Sequence, residues 1–214
     1  MILLGKDTAF PPVTKADADG LLAIGGDLSP QRLLEAYRNG IFPWYNEGVI
    51  IQWWSPDPRF VLQPSKLKVS KSMKKCLQQP VFSFTMNTAF EQVIHHCKTI
   101  ERSGQLGTWI QDEVVDAYTK LHKMGIAISA EAWDRDELAG GLYGIKLGNV
   151  FFGESMFSHQ PNASKFAFIS LVQQLENEGL QLIDCQVYTS HLESLGAEMI
   201  PRATFMQLLD KYAR

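Results

Sequence analysis

The chain has 214 residues, 45% of them hydrophobic and 20% charged, with a formal net charge of −3. That is ordinary globular material for one large or two small domains, and it excludes a surface basic all over, so any nucleic-acid contact is a local patch. Cys76, Cys97 and Cys185 are an odd number with no paired spacing, so neither a disulfide framework nor a zinc knuckle is suggested.

No apolar run approaches the roughly 20 residues that span a bilayer. The opening "MILLGKDTAFPP" carries too short an apolar segment, with an acid soon after it, to be a secretory signal, so a cytoplasmic protein is expected. Residues 1–62 are punctuated by Pro and Gly and rich in aromatics, as in "FPP", "GIFPWY" and "QWWSPDPRF", and predict a small irregular N-terminal domain. Inside it "DLSPQRLLEAYRNG" predicts a short helix. Ser29 is its N-cap and Pro30 its first residue; Leu33, Leu34 and Tyr37 form an apolar face, and Gly40 stops it.

From about Phe60 the chain alternates strands and helices, and residues 63–214 are expected to form a second, larger domain. "KLKVSKSMKK" brings five lysines and no acid, either a solvated face or a patch for an anionic partner. Strands are expected at "RFVLQ" and "VFSFTMN", and helices at "AFEQVIHHCKTIE" and "QDEVVDAYTKLHKMG". His95 and His96 are adjacent on a helix and point to different sides, while His122, His159 and His191 stand alone, so no metal site is expected. "IAISAEAWD", "ELAGGLYGIKLG" and "NVFFGESMFS" predict an antiparallel meander. "NASKFAFISLVQQLENEG" follows as a helix capped by Asn162 or Ser164 and stopped by Gly179; then come the strand "LQLIDCQ" and the helix "RATFMQLLDKYA".

The fold class expected is α+β, a mixed and largely antiparallel sheet with flanking helices. In that layout Glu154 and Asp184 come at the C-terminal ends of two strands and open into one crevice. "LIDCQ" sets an acid, a thiol and an amide where a buried strand would carry Val or Ile. Two readings stand: polar side chains satisfied locally at a strand end, or the rim of a site. Cys185 alternates to the face opposite Asp184 and Gln186 and reads as a core thiol. A Cys185 nucleophile paired with His191 is the rival, and it needs an activating base.

Taken together and in order, "GLLAIGGDLSPQRLLEAYRNGIFPWY", "WWSPDPR", "GTWI", "GGLYG", "FFGESMFS", "NASK" and "LIDCQ" resemble the bacterial leucyl/phenylalanyl-tRNA protein transferases, over about residues 20–201. The resemblance implies an enzyme that moves Leu or Phe, and less often Met, from Leu-tRNA, Phe-tRNA or Met-tRNA to proteins beginning with Arg or Lys, marking them for N-degron degradation. It implies a small N-terminal domain that lends aromatics to the donor site, before a larger domain similar to the N-acyltransferases (GNAT-like). No cofactor, no metal and no membrane are implied, and a monomer is expected. The reaction is aminolysis of an ester, in which proximity and orientation can supply up to roughly 7–11 kcal/mol.

By the same resemblance, Asp184 and Gln186 lie at the reacting centre. Either Asp184 polarises Gln186, which helps deprotonate the amine, or both only orient substrates. Glu154 completes the acidic corner and would bind the acceptor's α-ammonium or its Arg/Lys side chain. Phe151, Met156, Phe168, Leu171 and Ile183 match positions that line the aminoacyl pocket, and Tyr37, Trp44 and Trp109 an aromatic platform for the terminal adenosine. Trp53 and Trp54 read as packing at the domain junction. Lys71, Lys74 and Lys75 match the basic residues that hold the tRNA backbone. Gln78 and Gln79 replace further basic residues of some relatives, which implies weaker or more salt-sensitive tRNA binding. The alternatives are an acyl-CoA-dependent N-acetyltransferase, for which "GGLYG" lacks a flanking basic residue, and a non-catalytic RNA-binding module, which leaves the acidic corner without purpose.

Overall fold

The computed structural model describes residues 2–6, 8–79, 81–100 and 108–213. Gly107, the first residue of "GTWI", therefore lies outside the described residues. Near the N-terminus β1 (Ile2–Leu4), β2 (Leu21–Gly25), β3 (Phe42–Pro43) and β4 (Gln52–Trp54) form a sheet of order β1-β2-β4-β3. Between β2 and β3 runs α1 (Pro30–Arg38), with the start and stop expected of it. The Ser29 side chain accepts the Arg32 N–H at 3.4 Å, and Gly40 ends the segment at φ 68°. Its buried face is Leu33, Ala36 and Tyr37, with Leu34 half-buried at the side.

Strand pairing passes to a second sheet between Trp54 and Arg59. This sheet contains β5 (Arg59–Leu62), β6 (Ser83–Met86), β7 (Ala127–Asp134), β8 (Glu137–Leu147), β9 (Val150–Ser158), β10 (Leu182–Gln186) and β11 (Glu198–Ile200). Their order is β11-β5-β10-β9-β8-β7-β6. The meander β7–β8–β9 is antiparallel as expected, and so, among the described residues, is every neighbouring pair of this sheet except β9 and β10. Those two run parallel because α5 (Ala163–Asn177) carries the chain back across the sheet between them.

The remaining helices are α2 (Lys71–Gln78), α3 (Phe90–Thr99), α4 (Asp112–Lys123), α6 (Ser190–Ser194) and α7 (Arg202–Tyr212). The architecture is the α+β class read from the sequence. α5 buries Phe166, Ile169 and Val172 against one face of the sheet. On the other face Val93 of α3, Val114 of α4 and Phe205 of α7 join Leu22, Tyr37 and Trp53, so one continuous core runs under both sheets.

The cap expected for α5 is different. Asn162 takes the left-handed backbone of the entering turn, φ 72°, and its side chain caps nothing. Ser158, at the end of β9, supplies the oxygen instead and accepts the Ser164 N–H at 3.2 Å. The glycines of "GGLYG" let α5 and the neighbouring strand β9 come close to β8. A Cβ on Gly140 would stand 2.7 Å from the Ala163 side chain, and one on Gly144 would stand 2.1 Å from the Phe152 carbonyl oxygen. They are packing glycines on β8, which removes any need to read them as a phosphate cradle.

Candidate active site

The parallel pairing of β9 with β10 ends at Phe152 and Asp184. Beyond it the strands part, and a cavity of about 460 Å³ opens between them. Glu154 and Gln186 project from the two strands at this opening. Glu154 lies in the middle of β9 rather than at its C-terminal end as expected, because the pairing with β10 stops well before β9 does.

Glu154 is about nine-tenths buried yet satisfied. Its Oε1 accepts the Tyr37 hydroxyl at 2.7 Å and the Gln186 side-chain amide at 2.8 Å, and its Oε2 accepts the Tyr118 hydroxyl at 2.9 Å. The two tyrosine hydroxyls also touch each other. Burial pushes the Glu154 carboxyl up to about 7; the tyrosine hydrogen bonds pull the other way, and the Asp184 charge adds to the rise. Burial, then the Glu154 charge, holds both tyrosines far above the usual phenol range, so they act as donors. A carboxylate only accepts, so Gln186 turns its NH₂ to Glu154 and keeps its carbonyl oxygen for another partner. These three donors occupy most of the acceptor sites of the Glu154 carboxylate.

Asp184 adjoins the cavity but exposes no surface to it. Its Oδ1 and Oδ2 accept from Arg59 Nε and Nη2 at 2.8 and 2.7 Å, and Oδ1 also accepts the Gln186 backbone N–H at 2.9 Å. Two roles were implied for it, polarising Gln186 or only orienting substrates; its hydrogen bonds run to the Arg59 guanidinium and to the Gln186 backbone N–H. Arg59 escaped the sequence reading although it stands in "WWSPDPR". The signal was available, since a buried acid in an apolar strand demands a positive partner and "RFVL" is the one strand that opens on arginine. Tyr118 was missed as well. Its spacing with Val114 and Leu121 put it on the buried face of α4, where a hydroxyl needs an acceptor.

The other expected residues divide. Met156, Phe168 and Ile183 border the cavity, and Trp44 and Trp109 stand at its edge. Phe151 and Leu171 do not. The Phe151 ring lies over Gly144, and Leu171, further along α5 than Phe168, packs into the core against the sheet. Tyr37 is completely buried, wedged against Phe152 with ring centroids 5.2 Å apart, so it offers no face to a base and contributes its hydroxyl instead. Trp53 fills the core of the small sheet, while the Trp54 indole N–H donates to the Trp44 carbonyl at 2.6 Å and props Trp44 at the cavity's edge.

Cys185 is the residue inserted where β10 slips register against β5, and it belongs to the α5-side core. Burial and then the Asp184 charge push its thiol upward, away from the reactive thiolate. Lys71, Lys74 and Lys75 share the exposed face of α2.

Comparison with known proteins adds an independent result. A model of the family described as leucyl/phenylalanyl-tRNA protein transferase matches residues 61–210, and a model of that family's N-terminal domain matches residues 26–57. A protein of Christiangramia forsetii named leucyl/phenylalanyl-tRNA protein transferase is 58% identical, across 98% of this chain and 100% of its own. Proteins of the same name from Flavobacterium johnsoniae and Syntrophus aciditrophicus are 57% and 56% identical, across 98% and 99% of this chain. A solved GCN5-related N-acetyltransferase-like protein from Streptococcus suis aligns with 78% of this chain and 61% of its own, at 13% identity and a TM-score of 0.40.

Proposed function

Because the chain belongs to the leucyl/phenylalanyl-tRNA protein transferase family and is thus an aminoacyltransferase acting from tRNA to protein, we propose that its cavity receives the aminoacyl end of Leu-tRNA or Phe-tRNA, and less readily Met-tRNA. The acceptors in this reading are proteins beginning with Arg or Lys, which the added residue marks for N-degron degradation in the cytoplasm. Among the described residues no helix is long and apolar enough to cross a membrane. The observation that carries the reading is a buried polar corner, Glu154 with Gln186, facing an apolar cavity walled by Met156, Phe168 and Ile183.

An apolar wall favours apolar donor side chains by burial, and the flexible Met156 suits a pocket that accepts both Leu and Phe. Trp44 and Trp109 at the edge would stack the terminal adenosine, a contact of about 1–3 kcal/mol per base. Lys71, Lys74 and Lys75 would meet the tRNA phosphates. In the transfer itself the amine nitrogen bonds to the ester carbonyl carbon and the bond to the ribose oxygen breaks. The proton lost by the amine ends on that oxygen. Gln186, anchored by Glu154, presents its carbonyl oxygen to an N–H of the amine and aims it. Glu154, at about 7, is the base at hand to carry the proton. Asp184 holds Gln186 in place and touches no substrate.

Single-turnover transfer of labelled Phe or Leu from tRNA to an Arg-starting peptide tests this, with acetyl-CoA as the competing donor. Transfer is expected only from tRNA, and Gln186→Ala should slow it by about 10²-fold. Met156→Trp should depress Phe transfer more than Met transfer, because lost volume excludes the larger side chain first. Equal losses for both donors would count against this pocket, and acetyl transfer alone would replace the reading with the N-acetyltransferase alternative.

A further inference from the structure

Arg59 is completely buried, and every side of its guanidinium is engaged. Nε and Nη2 fork onto the two oxygens of Asp184, Nη1 donates to the Gly40 carbonyl at 3.1 Å, and the rings of Phe42 and Phe205 flank the plane at 4.7 and 4.6 Å. The end of α1, strand β10 and helix α7 thus meet at one side chain.

The consequence lies two residues past Asp184. Gln186 has φ 63°, in the left-handed region that a non-glycine residue enters only when its surroundings hold it there. It does so at the register slip between β10 and β5. The Asp184 Oδ1 that accepts from Arg59 also accepts the Gln186 backbone N–H, and from that backbone the side chain reaches Glu154 at 2.8 Å.

We propose that Arg59 is a positioning residue for aminoacyl transfer: its fork fixes the Asp184 carboxylate, which pins the left-handed backbone of Gln186 and so aims the Gln186 side-chain carbonyl oxygen at the attacking amine. This rests on the reading of Gln186 as the group that orients the amine. Balancing a buried charge does not require a fork, and a lysine would supply one positive charge. Three rigid contacts in one plane do require it, because an ammonium is a single point and cannot reach both carboxylate oxygens and the Gly40 carbonyl together.

The experiment is a double-mutant cycle on single-turnover transfer from Phe-tRNA to an Arg-starting peptide, with donor KM measured alongside. Arg59→Lys is expected to lower the maximal rate roughly 10- to 100-fold, the scale of small misplacements at a reacting centre, while donor KM stays within about twofold. In a Gln186→Ala background the same substitution should cost nothing further, since the group it positions is gone. A merely structural Arg59 would lower the rate alike in both backgrounds, and that result overturns the inference, as would an Arg59→Lys protein of wild-type rate. If Gln186→Ala alone is unimpaired, the reading of Gln186 fails instead. Asp184→Asn, which keeps the shape but sets a donor against the fork, runs the same cycle should Arg59→Lys not fold.

Discussion

Glu154 illustrates what burial does to one carboxyl. Taken from an ordinary 4.5 to about 7, it remains protonated in the folded chain over a range where the unfolded chain has released the proton. Its contribution to stability is therefore complete below about 4.5 and lost as pH rises through 7, on the order of 3 kcal/mol between those limits. Glu154→Gln removes the titration, so its melting temperature should gain on the wild type as pH goes from 5 to 8. A constant difference across that range would show that some other group titrates. The residues around Glu154 were unequally legible. Cys185, expected in the core from alternation, packs into the α5-side core but also borders the cavity, as His191 does, because the register slip at Cys185 breaks the alternation. Tyr37, on the apolar face of α1, was matched by resemblance to an aromatic platform, because an aromatic on a helix face does not announce whether its ring or its hydroxyl is used.

At the scale of elements, α2 is a short helix held by one buried residue, Met73, and started by the Ser70 hydroxyl, which accepts the Met73 N–H at 3.2 Å. Its outward face carries Lys71, Lys74 and Lys75, which lie three and four residues apart and so form one positive stripe despite the net negative chain. Replacing all three by Ala should raise the apparent KM for full aminoacyl-tRNA. It should also flatten the slope of log K against log salt by about two to three, at 0.7–0.9 per phosphate contact. Transfer from an aminoacyl-adenosine fragment should be unchanged, and if both donors suffer alike the stripe serves the fold. Helix α1 was legible because its cap, glycine stop and apolar spacing act within a few residues. The cap of α5 was not, because its oxygen comes from Ser158 on the preceding strand.

Over the whole molecule, the small sheet and the large one share a core in which Leu22, Tyr37 and Trp53 pack with Tyr118, Phe152 and Phe205. Two textures in the sequence therefore do not mean two independent cores, and unfolding should be a single transition whether followed by tryptophan fluorescence or by far-UV circular dichroism. Phe205→Ala, which opens a cavity beside Arg59, should cost about 3–5 kcal/mol and lower both signals together. Separate midpoints would indicate that the sheets hold themselves up singly. By itself the sequence determined the class of fold, the meander and most helix limits, since each depends on periodicity or on neighbours along the chain, whereas Met156, Phe168 and Ile183 were marked as pocket positions only by the family resemblance. Only the tertiary structure decided which polar groups meet: Arg59 with Asp184 across 125 positions, Tyr37 with Glu154 across 117. It also decided that β9 and β10 part after Phe152 and Asp184, because where two strands separate is set by everything packed around them and is written in neither strand.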